Sequence, residues 1–260
     1  MMDPNRDAFF RVPRTLHHTH AGLVDLPILY YDATNVIALF EAELSGATSL
    51  LEGTGLEPMP FRGKSALVAV SFYDYRRTTV GSYGEVGTAV FARRPGERGL
   101  LPGIAEMLVD PRKRHVGAWV VDLPVTTELA CAAGRDLWGY PKFVTPITIA
   151  LEGRSFHALV DAPDGSEPIL QIQGEMAFGL PVPAFSLMTF SQLHGTLVRT
   201  PIDVRAKTHA HKAGTVRLRV GSSQHPMAAH LRTLALDGAR PSILTVTTNF
   251  QSILHAGSRA

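Results

Sequence analysis

The chain has 260 residues, of which 45% are hydrophobic and 18% are charged, and its formal net charge is +2. This composition is typical of a folded globular protein and excludes a disordered chain. Basic residues are dense only around Arg76 and in the stretch PRKRH from Pro111, so the basic stripe of a nucleic-acid-binding surface is not indicated.

Residues 1–26 are polar and contain the stretch HHTH, which predicts an N-terminal arm before a single domain over residues 27–260. The first residues include no apolar stretch of the kind found in signal peptides. The longest apolar runs, such as VGAWVV, are too short to span a bilayer. The single Cys131 excludes an intrachain disulfide and suits a reducing compartment. We therefore expect a cytoplasmic protein without a membrane partner.

Strand patterns dominate the first half of the domain. NVIALFEAEL from Asn35 fits either a strand or the start of a helix. SALVAVSFYDY from Ser65 is rich in β-branched and aromatic residues and predicts a buried strand. EVGTAVFARR alternates after Gly84 and predicts the next strand, and HVGAWVVDLP predicts another.

A helix follows these strands. Thr126 or Thr127 can cap it, and Glu128 lies in its first turn, where the helix dipole favours an acid. ELACAA supplies strong helix formers, and Gly134 is the predicted end. Pro141 cannot continue a helix.

The second half returns to strands. KFVTPITIALEG and RSFHALVDAPDG predict a hairpin with Gly153 in its turn, and GTVRLRVG predicts a further strand. HPMAAHLRTLALDG predicts a second short helix, and PSILTVTTNF closes the predicted sheet. The expected class is α+β, mostly β, and the lack of regular βαβ alternation argues against a Rossmann fold.

The sequence indicates neither a cofactor nor a metal. GSYGEVG lacks the glycine spacing of a dinucleotide site. Cys131 is expected to be a small packing residue. Solvated loops explain the histidines better than metal binding, because no metal-binding motif accompanies His17, His18, His20, His209 and His211.

The stretch GRDLWGYPKF places Lys142 at the junction between the predicted helix and the next strand. Trp138, Tyr140, Pro141 and Phe143 surround the lysine in sequence. If they also surround it in space, burial destabilises its ammonium form, and a neutral amine can attack a ketone to form an imine. The alternative is a surface lysine that opens a strand.

Three segments resemble the acetoacetate decarboxylase superfamily. GRDLWGYPK resembles its G-R-E-x-x-G/A-F/Y-P-K signature, in which the lysine forms a Schiff base. GSYGEVGTAV resembles its Y-x-E-x-G segment, which makes Glu85 the candidate active-site glutamate. GSSQHPMAAHLRTLALDGARP resembles a late segment of the family, and the order and spacing match over roughly residues 60–250.

This resemblance implies a cone-shaped double β-barrel with a few short helices, assembled as a homo-oligomer. A small β-keto or other oxo acid would condense with Lys142, and the protonated imine would act as the electron sink for loss of carbon dioxide. Trp138, Tyr83 and Arg135 are the candidate substrate-binding residues. Each has a structural alternative: Trp138 in the core, Tyr83 in packing, and Arg135 in an ion pair with Asp136.

The chain departs from the family pattern at two places. Phe143 stands where the decarboxylase has a second lysine, so burial alone must activate Lys142. The family's early arginine, which meets the substrate carboxylate, has no match near YYDATNVI. Two alternatives to a decarboxylase therefore stay open: an aldolase or dehydratase acting on a larger carbonyl substrate in a biosynthetic pathway, and a non-catalytic binding protein of the same fold.

Overall fold

The computed structural model describes residues 7–101 and 103–260. In this part of the chain the helices are α1 (Leu44–Ser49), α2 (Glu128–Trp138) and α3 (Pro226–Thr233). The strands, in chain order, are β1 Thr15–Thr19, β2 Gly22–Leu26, β3 Ile28–Glu43, β4 Glu57–Pro58, β5 Ser65–Thr78, β6 Tyr83–Arg93, β7 Gly117–Val125, β8 Lys142–Val144, β9 Ile147–Glu152, β10 Ser155–Asp161, β11 Pro168–Glu175, β12 Gly179–Val182, β13 Leu187–Leu193, β14 Thr196–Arg205, β15 Thr208–His211, β16 Arg217–Val220, β17 Ile243–Leu254 and β18 Ser258–Arg259. The predicted mostly β class with a few short helices is confirmed.

Seven strands form a closed barrel in the order β17, β3, β5, β6, β7, β13 and β14. The ring closes because β14 pairs with β17 as well as with β13. Within the ring, β7 and β13 are parallel, and the other neighbours are antiparallel. The short β8 lies parallel to β7. The ambiguous stretch from Asn35 is therefore a strand, within β3.

A separate four-stranded sheet packs on the outside of the barrel, in the order β16, β11, β10 and β9. Phe72 of β5 meets Phe156 of this sheet edge to face, with ring centroids 5.2 Å apart. Met227 and Leu231 of α3 are fully buried in the same core. Because side chains alternate along a strand, the residues of β5 on either side of Phe72 face the barrel interior instead. The core thus fixes which residues line the inside of the barrel.

The predicted hairpin, with Gly153 in its turn, is formed by β9 and β10. The predicted end of α2 is wrong, because the helix continues through Gly134 to Trp138 and Gly139 is its C-cap. Gly139 has φ +67, in the left-handed region that favours glycine. None of the helices in the described part of the chain combines the length and apolar character needed to cross a bilayer.

Residues 1–6 of the predicted N-terminal arm lie outside the described residues. The remainder of the arm contains the hairpin of β1 and β2. Val24 and Leu26 of this hairpin are buried, whereas Leu16 and Leu23 are exposed. His20 ties the hairpin to α2, because its backbone N–H donates to Asp136 at 2.8 Å. The division into an arm and one domain stays a prediction.

Candidate active site

The turn after α2 directs Lys142 into the barrel. Gly139 redirects the chain, and a Cβ atom at this position would collide with the carbonyl oxygen of Gln192, so a side chain is excluded. Tyr140 N–H donates to the carbonyl of Gly134 at 3.0 Å and fastens the turn to the helix. Lys142 then begins β8, where it pairs with Leu123 of β7. The segment GRDLWGYPKF therefore forms a rigid connection between α2 and β8, and this connection directs the side chain of Lys142 toward the barrel interior.

Lys142 is buried, with 7% of its surface exposed, and its Nζ lies 2.6 Å from Oε2 of Glu85. Glu85 is equally buried, on the barrel strand β6. The stem of the lysine crosses α2 at Gly134, where an added Cβ would lie 2.5 Å from Lys142 Cε. The other lysines of the sequence are all exposed: Lys64, Lys113, Lys207 and Lys212. Lys142 is thus distinguished by burial and by a buried carboxylate partner.

The pair faces a cavity of about 90 Å³ inside the barrel, which we call the barrel cavity. All seven barrel strands contribute to its wall, together with Tyr140 and Lys142 from the segment that follows α2. Its described lining residues are Tyr30, Ser71, Tyr73, Tyr75, Glu85, Gly87, Thr88, Ala89, Val120, Leu123, Tyr140, Lys142, Leu187, Ile202, Phe250, Ser252 and Leu254. The wall is mostly apolar and aromatic, as is usual for small-molecule sites.

Tyrosine hydroxyls surround the carboxylate. Tyr75 donates to Oε1 of Glu85 at 3.4 Å, and the hydroxyls of Tyr30 and Tyr83 lie 3.2 Å apart. Burial, followed by the charge of Glu85, raises the pKa of Tyr30, Tyr73 and Tyr75 well above the usual value. Burial raises the pKa of Tyr140 to about 12. These phenols therefore stay protonated at neutral pH and can donate hydrogen bonds.

The three candidate substrate-binding residues lie in different places. Trp138 is fully buried and donates from Nε1 to the carbonyl of His255 at 3.0 Å, so it belongs to the core rather than to the cavity wall. The ring of Tyr83 lies 5.7 Å from Nζ of Lys142, beside the site. Arg135 is exposed and lines an outer cleft on the far side of Tyr140 and Lys142. Their substrate-binding roles stay predictions.

Sequence reasoning missed most of the aromatic wall. Tyr73 and Tyr75 share one face of β5, and their alternation in SFYDY was a usable signal. Tyr30 and Phe250 come from β3 and β17, which are far apart in sequence and adjacent only in the closed barrel. No local pattern connects these two residues with Lys142.

The outer cleft contains a second buried carboxylate. Asp122 is buried and lies 3.0 Å from Nδ1 of His230 on α3. Asp122 accepts a hydrogen bond from the imidazole and thereby holds the pKa of His230 above its usual range. Among the residues that the structure describes, no group of three or more His, Cys, Asp or Glu side chains is placed to hold a metal ion.

Comparison with known proteins relates this geometry to one family. The sequence matches the family model of acetoacetate decarboxylase (ADC) over residues 12–255. No curated protein matches the chain by sequence. The acetoacetate decarboxylase of Legionella pneumophila subsp. pneumophila str. Philadelphia 1 has a similar structure, with a TM-score of 0.63 at 18% identity, over 100% of this chain and 96% of that one.

Two further solved structures are similar. One is an acetoacetate decarboxylase-like enzyme from Sphingomonas wittichii RW1, with a TM-score of 0.64 at 14% identity over 91% of this chain and 94% of that one. The other is the enduracididine biosynthesis enzyme MppR, complexed with the condensation product of pyruvate and imidazole 4-carboxaldehyde. Its TM-score is 0.62 at 14% identity, over 90% of this chain and 88% of that one. The predicted acetoacetate decarboxylase-like fold is therefore confirmed.

Proposed function

Because this chain belongs to the acetoacetate decarboxylase family, we propose that it is a carbon–carbon lyase in which Lys142 forms an imine with a small carbonyl substrate. The observation that carries the proposal is the buried contact of 2.6 Å between Lys142 Nζ and Glu85 Oε2 at the barrel cavity. A buried lysine next to a single carboxylate has a proton acceptor at hand. Strongly desolvated ion pairs of this kind are common at functional sites.

Imine formation uses both members of the pair. Glu85 accepts a proton from the Lys142 ammonium, and the free amine attacks the carbonyl carbon to form a C–N bond. The carbonyl oxygen takes up two protons, one from Glu85 and one from the attacking nitrogen, and leaves as water. The product is a protonated imine, whose positive charge lies beside the Glu85 carboxylate. Both groups are held before substrate arrives, so little reorganisation is needed.

The imine then draws electrons from the bond between the α-carbon, which is attached to the imine carbon, and the β-carbon. That bond breaks, the electron pair moves toward nitrogen to give an enamine, and the departing fragment leaves as a neutral molecule. Protonation of the enamine carbon and attack by water release the product ketone and regenerate Lys142. In a decarboxylase the departing fragment is carbon dioxide, and in an aldolase it is an aldehyde. The decarboxylation of a small oxo acid and the aldol alternative therefore share this machinery.

The volume of the cavity bears on substrate size. An engineered protein cavity of about 150 Å³ holds benzene, whereas the barrel cavity measures about 90 Å³. The barrel cavity is therefore smaller than a cavity known to hold benzene. This favours a small carbonyl compound over the larger substrate that the sequence left open.

Borohydride trapping tests the proposal. Incubation with small ketones and oxo acids, followed by borohydride, should add the reduced adduct to Lys142, as located by peptide mass spectrometry. Lys142→Met keeps an apolar stem against Gly134 and should abolish the adduct, whereas Lys64→Met, at an exposed lysine, should leave it unchanged. An adduct that persists in Lys142→Met would move the nucleophile to another lysine and discard this site. Absence of any adduct in the wild type would leave the non-catalytic binding protein as the better interpretation.

Two further expectations from the sequence remain predictions. These are assembly as a homo-oligomer and location in the cytoplasm. Light scattering of the purified chain tests the first, and cell fractionation tests the second.

A further inference from the structure

The ionisable groups of the barrel cavity point to the charge of its substrate. Among the described lining residues other than the tyrosines, Glu85 and Lys142 are the two with ionisable side chains, and they pair with each other at 2.6 Å. The described wall contains neither arginine nor histidine. Its other polar groups are hydroxyls, and burial raises the pKa of the tyrosines, so these remain neutral.

The charge balance changes with the class of substrate. An uncharged ketone or aldehyde forms a protonated imine at Lys142, and this positive charge is compensated by Glu85. An oxo acid brings a second carboxylate within a few bonds of the imine carbon and therefore close to Glu85. The two carboxylates then share the single positive charge of the imine, which leaves one net negative charge in the cavity. The repulsion between like charges about 6 Å apart at an effective dielectric of about 20 corresponds to more than tenfold in binding. The described wall offers no second cation for that carboxylate.

We propose that the substrate of the barrel cavity is an uncharged ketone or aldehyde rather than an oxo acid. This inference rests on the proposed imine at Lys142 and specifies which carbonyl compounds form it. The wall suits such a substrate, since the protonated hydroxyl of Tyr73 can donate to a neutral oxygen, while the side chains of Val120, Ile202 and Phe250 can contact carbon.

The reaction follows from the substrate class. Without a carboxylate there is no carbon dioxide to lose, so the imine serves aldol cleavage or its reverse. In cleavage, a hydroxyl group on the second carbon from the imine carbon gives up its proton to Glu85, the C–C bond breaks, and an aldehyde departs. The electron pair remains on the Lys142 adduct as an enamine, which Glu85 then protonates. Atoms and charge balance without any further reactant.

Matched carbonyl pairs test the inference. Acetoacetate and 4-methyl-2-pentanone have similar shapes, but the ketone carries an isopropyl group where acetoacetate carries its carboxylate. Pyruvate and 3-methyl-2-butanone form a second pair with the same difference. Each pair competes for borohydride trapping at Lys142 of the wild-type protein. Free Nα-acetyl-lysine amide in the same mixture reports the intrinsic reactivity of each carbonyl group, and the ratio at Lys142 is divided by the ratio on this free amine.

We expect the corrected ratio to favour the uncharged ketone by tenfold or more. In Glu85→Gln the preference should fall by about tenfold, because the repelling carboxylate is gone, and slower chemistry in this variant cancels within the ratio. Equal or preferential trapping of the oxo acids by the wild type would overturn the inference while leaving the imine intact. Absence of any adduct at Lys142 would instead overturn the proposed function itself. The wild-type competition decides the question even if Glu85→Gln does not fold.

Discussion

Gly134→Ala should disable the site without unfolding the protein. The added Cβ would lie 2.5 Å from Lys142 Cε and 3.2 Å from Cγ, whereas carbon atoms in contact prefer about 3.5–4.0 Å. The lysine stem must therefore retreat by about 1 Å. Its Nζ lies 2.6 Å from Oε2 of Glu85, so a movement of this size would break or distort that contact. A misplacement of about 1 Å can cost about a hundredfold in rate, or about 2.7 kcal/mol.

The effect on stability should be much smaller. Alanine is a better helix former than glycine by up to about 1 kcal/mol in a helix interior, which offsets part of an overpacking cost of about 1–3 kcal/mol. The assay is the rate of borohydride trapping at Lys142, measured beside thermal unfolding. Glu128→Ala, at an exposed position of the same helix, is the control and should trap at the wild-type rate. A folded Gly134→Ala protein that traps at the wild-type rate would refute the reasoning.

Three other substitutions test separate features. Lys142→Arg should give no adduct in trapping followed by mass spectrometry, because a guanidinium stays charged and cannot form an imine. Phe143→Lys should change the pH profile of trapping little, since Phe143 packs on the ring of His225 at 4.3 Å and points away from the barrel cavity; a shift of about one pH unit or more would contradict this. The contact between charged His230 and Asp122 stabilises the fold fully below about pH 6.5, and that stability is lost as pH rises through the raised pKa of His230. Thermal unfolding of His230→Gln should therefore depend less on pH across this interval than that of the wild type, and identical pH dependence would argue against the contact.

Local patterns in the sequence were sufficient for several of the elements and for the position of Lys142 at a helix-to-strand junction. β5 and β6 follow from runs of β-branched and aromatic residues, and α2 begins at Glu128 as predicted. The end of α2 was not predictable, because Gly134 resembles a helix stop, whereas its small size is needed for the passage of Lys142. That requirement comes from a tertiary contact.

The cavity wall was beyond sequence reasoning for a related reason. Tyr30 and Phe250 become neighbours of Lys142 only through the pairing of β3 with β17. Trp138 stands next to the lysine motif in sequence, yet it packs into the core behind the turn. Proximity along the chain therefore indicated a buried Lys142, which the structure shows, but it gave little information on which side chains form the pocket around it.

Closure of the barrel by β17 has a consequence for how the chain folds. β5 and β6 are close in sequence, whereas β17 must pair with both β3 and β14, and Val246 meets Val36 across most of the chain. Joining distant segments costs loop-closure entropy before their contacts compensate for it. We expect pulsed hydrogen exchange during refolding to protect amides of β17 after those of β5 and β6. Until that seam closes, the barrel cavity beside Lys142 is incomplete. If Lys142 acts as we propose, a half-folded chain lacks a selective nucleophile and the finished barrel creates one.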